Sequence, residues 1–208
     1  KHAPNALLHT DAVQAACWID LREITPLVDA LSLLAHKFGG PKGVGIMVLK
    51  AGKQLEPMIF GGGQERDRRS GTHNVAGIIG AATALHFTDI TRANEIERVT
   101  KLRDRLVDDI VAALPDVLET VQREHRVPGV AHLCIKGIES EALLFLLDQA
   151  DVCASAASAC ASGAMEPSHV LAAMGLSREW TNGALRLSLG HTTTDADIDT
   201  AVRTIVGA

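Results

Sequence analysis

The opening stretch of the chain is built from short apolar runs cut apart by turn-forming residues. Ala6–Val13, Pro26–Lys37 and Val44–Lys50 are each of strand length, and the segment Phe38-Gly39-Gly40-Pro41-Lys42-Gly43 separates the second run from the third. Runs this short, bounded by breakers, predict neighbouring strands of a buried sheet. Residues 61–74, GGGQERDRRSGTHN, mix glycine with charge, hold no apolar anchor and read as a loop. Asn74 is placed to cap a helix from Val75 to about His86. A second helix is expected from about Ala93 to Leu114, where Ile96, Val99, Leu102, Leu106, Ile110 and Ala113 recur at helical spacing and Pro115 follows. This second helix is the expected hinge between two domains, 1–92 and 93–208.

Beyond Pro115 strands and helices mix. Val130–Lys136 reads as a strand, Ser140–Gln149 as a helix, and Cys153–Ala164 as a tract of small residues. A short helix near Pro167, a strand over Ala184–Gly190 and a C-terminal helix from about Asp195 complete a small α+β domain. No internal repeat is visible.

Composition narrows the function classes. A chain of 208 residues, 47% hydrophobic and 22% charged, can bury a core without disulfide or metal staples. A net charge of −5, with four Phe, two Trp and no Tyr, argues against a nucleic-acid surface, which needs positive charge and rings for bases to stack on. The cysteines at 17, 134, 153 and 160 form no CxxC pair and no zinc-like ladder with histidine, so no metal site is expected. They read as thiols of a reducing compartment, which predicts a cytoplasmic protein, with Cys17, Cys134 and Cys153 in the core. The longest apolar stretch, Val75–Leu85, falls short of the roughly 18 residues of a membrane span. The chain begins at Lys1, inside a patterned segment and with no signal peptide, and reads as an N-terminally truncated fragment.

Two places carry candidate chemistry on residue type alone. Lys37 closes an apolar run, where an ammonium is costly to desolvate unless it is paired or its charge is removed chemically. Schiff-base formation removes it, as in pyridoxal phosphate enzymes; a lysine reaching back to solvent is the other reading. Asp11 and Gln14 close the preceding run, as if on the same sheet edge, where open α/β sheets bind ligands. A carboxylate there could keep a pyridine nitrogen protonated and an amide could donate to a ring oxygen, although Asp11 is equally suited to cap a helix. Arg186 alternates with Leu185 and Leu187 and suits a bidentate carboxylate contact or a structural ion pair. Cys160 lies among alanine, serine and glycine, with nothing bulky nearby to anchor it to a core.

Five motifs in order carry a family resemblance. They are Asp11-Ala-Val-Gln14; Ala35-His36-Lys37-Phe-Gly-Gly-Pro-Lys-Gly43; Gly61-Gly-Gly-Gln-Glu-Arg66 with Arg69-Ser-Gly-Thr72; Ser158-Ala-Cys160 with Glu166-Pro-Ser168; and Leu185-Arg186-Leu-Ser-Leu-Gly190. Together they resemble the C-terminal part of a cysteine desulfurase, a pyridoxal 5'-phosphate-dependent enzyme of the class V aminotransferase family. The resemblance implies an α/β fold: part of an aspartate aminotransferase-like (fold type I) large domain over 1–92, then a small α+β domain carrying a mobile cysteine loop. It implies Lys37 as the cofactor lysine and general base, His36 as a pocket residue, and Asp11 and Gln14 as partners of the ring nitrogen and ring oxygen. Thr72 would reach the cofactor phosphate of a partner subunit in a homodimer, Arg186 would bind the substrate's α-carboxylate, and Cys160 would take the sulfur. The implied reaction converts L-cysteine to L-alanine and passes sulfur to an acceptor or scaffold protein for iron-sulfur clusters or tRNA thiolation. An aminotransferase or selenocysteine lyase of the same fold, or a catalytically silent fragment acting as a subunit or scaffold, are the alternatives.

The sequence departs from the family pattern in three places. Leu34 stands where a serine or threonine usually bonds the phosphate, a loss worth about 1.5 to 3 kcal/mol for a hydrogen bond to a charged group. Ser32 is on the same strand face, one pleat further back. Ala157 replaces a glycine near Cys160, and the glycine/threonine phosphate turn and the ring-stacking histidine of the family's N-terminal half are not in this sequence.

Overall fold

A computed structural model describes residues 3, 5–156 and 168–208. The chain divides into two compact units, Lys1–Ala93 and Asn94–Ala208.

In the first unit, β1 (His9–Asp11), β2 (Ala30–Leu34) and β3 (Gly45–Leu49) form one sheet in that order. β1 runs parallel to β2, with Asp11 opposite Ser32, and β3 returns antiparallel. Only β2 is substantially buried. Its Leu31 and Leu33 pack with Ala12, Ala16, Ala35, Phe38, Val44 and Ala81 into an apolar cluster. β1 and β3 are largely exposed, a correction to the buried three-stranded sheet expected from the sequence. The physical reason is that each of these strands has an unpaired outer edge among the described residues.

The second apolar run is also not strand throughout. It leaves the sheet at Leu34 and tightens into a 3-10 turn, Ala35–Phe38, which ends on Gly39 in the left-handed region at φ 84°. Gly40 donates to the Ala35 carbonyl at 2.9 Å, closing the turn. Residues 61–74 are irregular, as expected, apart from a turn at Gln64–Asp67 in which Glu65, Arg66 and Asp67 all have positive φ. That turn is held by the Ser70 hydroxyl on the Gly62 carbonyl and by the Gln64 side chain on the Gly71 amide.

Asn74 does cap a helix, its Oδ1 accepting from the Gly77 amide at 3.1 Å. The helix, α1 (Val75–Ala113), then runs 39 residues without interruption, so the expected break between about His86 and Ala93 is corrected. No glycine or proline lies between those residues to stop it. The two threonines between His86 and Ala93 are accommodated, Thr91 bonding back to the Phe87 carbonyl and Thr88 to the Phe38 carbonyl. The expected stripe of the C-terminal part is buried at Val99, Leu102, Leu106 and Ile110, whereas Ala113 is exposed.

In the second unit, β4 (Val117–Glu119), β5 (Val130–Ile135) and β6 (Ala184–Ser188) form an antiparallel sheet in chain order. α2 (Ser140–Gln149) follows β5 with the bounds read from the sequence. α3 (His169–Ala173) and α4 (Arg178–Thr181) bring Leu171, Leu176 and Trp180 against Cys134 and Ala184. α5 (Asp195–Gly207) opens on a reciprocal cap between Thr194 and Asp197. Cys134 is buried and Cys17 half-buried, but Cys153 is exposed, which corrects its placement in the core: it lies in the irregular stretch after α2, where no apolar partner covers it.

Candidate active site

Because β1 and β2 are parallel, their C-terminal ends lie on one edge of the first sheet. Asp11 is the last residue of β1, and Gln14 follows in the turn beyond it. His36 and Lys37 occupy the 3-10 turn just past the end of β2. All four are exposed. Of the two readings of Lys37 from residue type, its exposure fits the lysine that reaches solvent and not a desolvated amine: the turn carries the side chain off the sheet while Ala35 and Phe38 on either side of the His36-Lys37 pair are buried. Among the described residues Lys37 forms no ion pair, and neither does Asp11. Asp11 Oδ1 accepts from the Val13 amide at 3.0 Å, closing a turn rather than capping a helix, since residues 13–18 form turns; this leaves Oδ2 unbonded among the described residues. A free amine and a partly free carboxylate on one sheet edge fit the aldehyde and pyridinium nitrogen of pyridoxal phosphate.

Contacts that the sequence did not announce fix this edge. The Cys17 thiol donates to the Lys37 carbonyl at 3.4 Å, tying the turn after β1 to the turn after β2. Burial raises the Cys17 pKa and the Arg92 charge partly offsets it, so the thiol stays a donor. Arg92, buried on α1, donates Nε to the Ala16 carbonyl at 3.0 Å and pairs with Asp89 at 2.9 Å. The turn bearing Gln14 is thus bonded to Lys37 on one side and to α1 on the other. The Ser32 hydroxyl is engaged within the sheet, its Oγ 2.8 Å from His9 Nε2 and 3.8 Å from the Met47 sulfur. Thr72 is exposed, with no hydrogen bond among the described residues, and is not brought to Lys37 by any contact.

Arg186 lies in the second unit, on β6. Its neighbours Leu185 and Leu187 are buried while it is half-buried and Ser188 exposed, the alternation read from the sequence. No carboxylate among the described residues pairs with it. Across the sheet stands His132, to which the sequence assigned nothing. Its Nδ1 is 2.9 Å from the Thr120 hydroxyl, and burial first, then the Arg186 charge, lowers its pKa. On the other side of Arg186, Ser155 forms an isolated bridge. The register that creates this row is a pairing property, with no signal in any one segment. Ser158, Cys160 and Glu166, and with them the sulfur-accepting position, lie outside the described residues.

Comparison with known proteins decides the family. The class-V aminotransferase family matches residues 1–201. The chain belongs to the class-V aminotransferases. It is 43% identical over 202 residues to the IscS-like cysteine desulfurase of Mycobacterium tuberculosis, covering 97% of this chain and 51% of that protein. It is 42% identical over 197 residues to a cysteine desulfurase of Nostoc, covering 95% of this chain and 49% of that one. Among solved structures, a NifS-like protein superposes with a TM-score of 0.85 at 34% identity, covering 97% of this chain and 52% of that chain. The NifS-like protein of Rickettsia africae gives 0.80 at 28% identity, with coverages of 96% and 53%. The mixed α/β fold expected from the sequence is therefore one shared with NifS-like class-V aminotransferases, and the chain spans about half the length of the curated relatives it matches.

Among the described residues no group of His, Cys, Asp and Glu is placed to hold a metal ion. No helix among them is long and apolar enough to cross a membrane.

Proposed function

We propose that the full-length protein is a cytoplasmic, homodimeric, pyridoxal phosphate-dependent cysteine desulfurase. The observation that carries the reading is the placement of a lysine without an ion pair and a half-free aspartate at the C-terminal ends of the parallel strands β1 and β2. It is supported by relatives named cysteine desulfurase at 42–43% identity. Residues 1–92 are then part of the cofactor-binding domain, and 93–208 the small domain that carries the sulfur-accepting cysteine.

When bound, pyridoxal phosphate supplies an aldehyde and an electron-accepting ring. Lys37 holds it and moves the proton at the substrate's Cα; Asp11 keeps a proton on the ring nitrogen, and Gln14 donates to the ring oxygen. His36 lines the pocket, and Thr72 serves the phosphate of the partner's site. Arg186 grips the α-carboxylate of L-cysteine. The Cys160 thiolate attacks the substrate sulfur, so the Cβ–S bond breaks and an S–S bond forms. L-cysteine plus one enzyme thiol thus gives L-alanine plus one enzyme persulfide, with protons returned to carbon and no outside oxidant. The persulfide passes to an acceptor or scaffold protein.

The test is alanine formation from L-cysteine by the cofactor-loaded full-length protein. Lys37→Ala is expected to lose the visible absorbance of bound cofactor and at least about 10²-fold in turnover. Cys160→Ser is expected to keep that absorbance and lose persulfide. Unchanged sulfur release by Cys160→Ser would overturn the desulfurase reading in favour of an enzyme that needs no such thiol.

A further inference from the structure

The second sheet carries a row of polar residues in register from edge to edge: Thr120 beyond β4, His132 on β5, Arg186 on β6, and Ser155 bridged to Arg186. Both backbone groups of Arg186 are used on the Ser155 side, its amide donating to the Ser155 carbonyl at 2.6 Å and its carbonyl accepting from the Ser155 amide at 3.1 Å. Arg186 and His132 therefore face each other as a non-hydrogen-bonded pair, the kind in which cross-strand side chains approach most closely. His132 directs its carbonyl the other way, to the Thr120 amide.

The Thr120 hydroxyl lies 2.9 Å from His132 Nδ1 and 3.3 Å from the His132 carbonyl, so the ring is held from its Nδ1 side. With Thr120 donating to that carbonyl, a neutral imidazole donates Nδ1–H to Thr120 Oγ1 and presents Nε2 as an acceptor, which suits a neighbouring guanidinium. A second positive charge directly opposite Arg186 would be destabilising, and burial together with the arginine's charge disfavours the imidazolium. A carboxylate at 132 would instead neutralise Arg186 and compete with any anionic ligand. The structure thus has a half-buried arginine opposite a ring anchored by Thr120, with no carboxylate partner among the described residues.

We propose that His132 is a positioning residue for Arg186: a neutral ring, held by Thr120, that orients the guanidinium from the adjacent strand and leaves its charge available to the carboxylate of an amino-acid substrate. The identity of that carboxylate rests on the desulfurase reading; the pairing itself does not.

Two measurements on the cofactor-loaded full-length protein test it. The first is the His132 titration by NMR, assigned by its loss in His132→Asn, compared between wild type and Arg186→Met. Removing the arginine is expected to move the midpoint up by about half a pH unit or more, whereas an unchanged midpoint overturns the pairing. The second is KM for L-cysteine. His132→Glu and His132→Ala are both expected to raise KM, about tenfold or more for Glu and about threefold or more for Ala, with kcat changing less, while His132→Asn, which keeps a neutral polar side chain beside Arg186, recovers part of the loss. Equal KM values for the Glu and Asn variants overturn the positioning role. If His132→Glu does not fold, the titration decides. If wild type shows no affinity for L-cysteine, the desulfurase reading falls and the titration still decides the pairing.

Discussion

A thiol's reactivity follows its exposure and the fraction of it held as thiolate. Cys134, on β5, is fully buried against α3 and α4, and burial pushes its pKa up to about 11. Cys153 is exposed. Brief iodoacetamide treatment near neutral pH is expected to label Cys153 at least about tenfold faster than Cys134, read by peptide mass spectrometry. Denaturant should abolish the difference, and comparable labelling of both in the folded protein would contradict the burial of Cys134. The same distinction explains why residue type misled the reading of Cys153: a cysteine beside an apolar helix is usually covered, but this one lies past the end of α2. Lys37 shows the converse, since an apolar run ending in lysine does not reveal whether the strand or a turn presents it.

At the scale of elements, the turn after β2 depends on two adjacent glycines for different reasons. Gly39 needs only its positive φ, and a Cβ there would meet nothing within 4 Å. Gly40 has no room, because a Cβ would fall 2.9 Å from Ala35 Cβ and 3.0 Å from the Ala35 carbonyl oxygen. Gly39→Asn is therefore expected to cost under about 1 kcal/mol, asparagine tolerating the left-handed region, and Gly40→Ala about 1 to 3 kcal/mol. Urea unfolding of the full-length protein measures both, and equal costs would contradict the close approach at Ala35. Elements with local signals were legible in advance: α2 between its flanking turns, the Asn74 cap, and the alternation around Arg186. The continuity of α1 was not, because the polar stretch Thr88-Asp89 and Thr91-Arg92 breaks the apolar period without breaking the backbone. β4 and α4, three and four residues long, are too short for any period to register.

For the whole molecule, the first unit leaves large apolar side chains uncovered, Met58, Phe60 and Leu27 most of all. Large apolar side chains this exposed are suited to burial in a contact. Their exposure accords with a chain that spans half the length of its relatives and with the proposed dimer. The site was legible in part for the same reason. Motifs close in sequence place Asp11, Gln14, His36 and Lys37 on one strand edge, whereas the register that sets His132 opposite Arg186 has no signal in any one segment. If Lys37 holds the cofactor, its amine is the one that reduction joins permanently to the pyridoxyl group. Borohydride reduction of the pyridoxal phosphate-loaded full-length protein, followed by peptide mapping, tests this most directly. A pyridoxyl group on Lys37, absent from Lys37→Ala, is the predicted result; a label on any other lysine, or none at all, would contradict it.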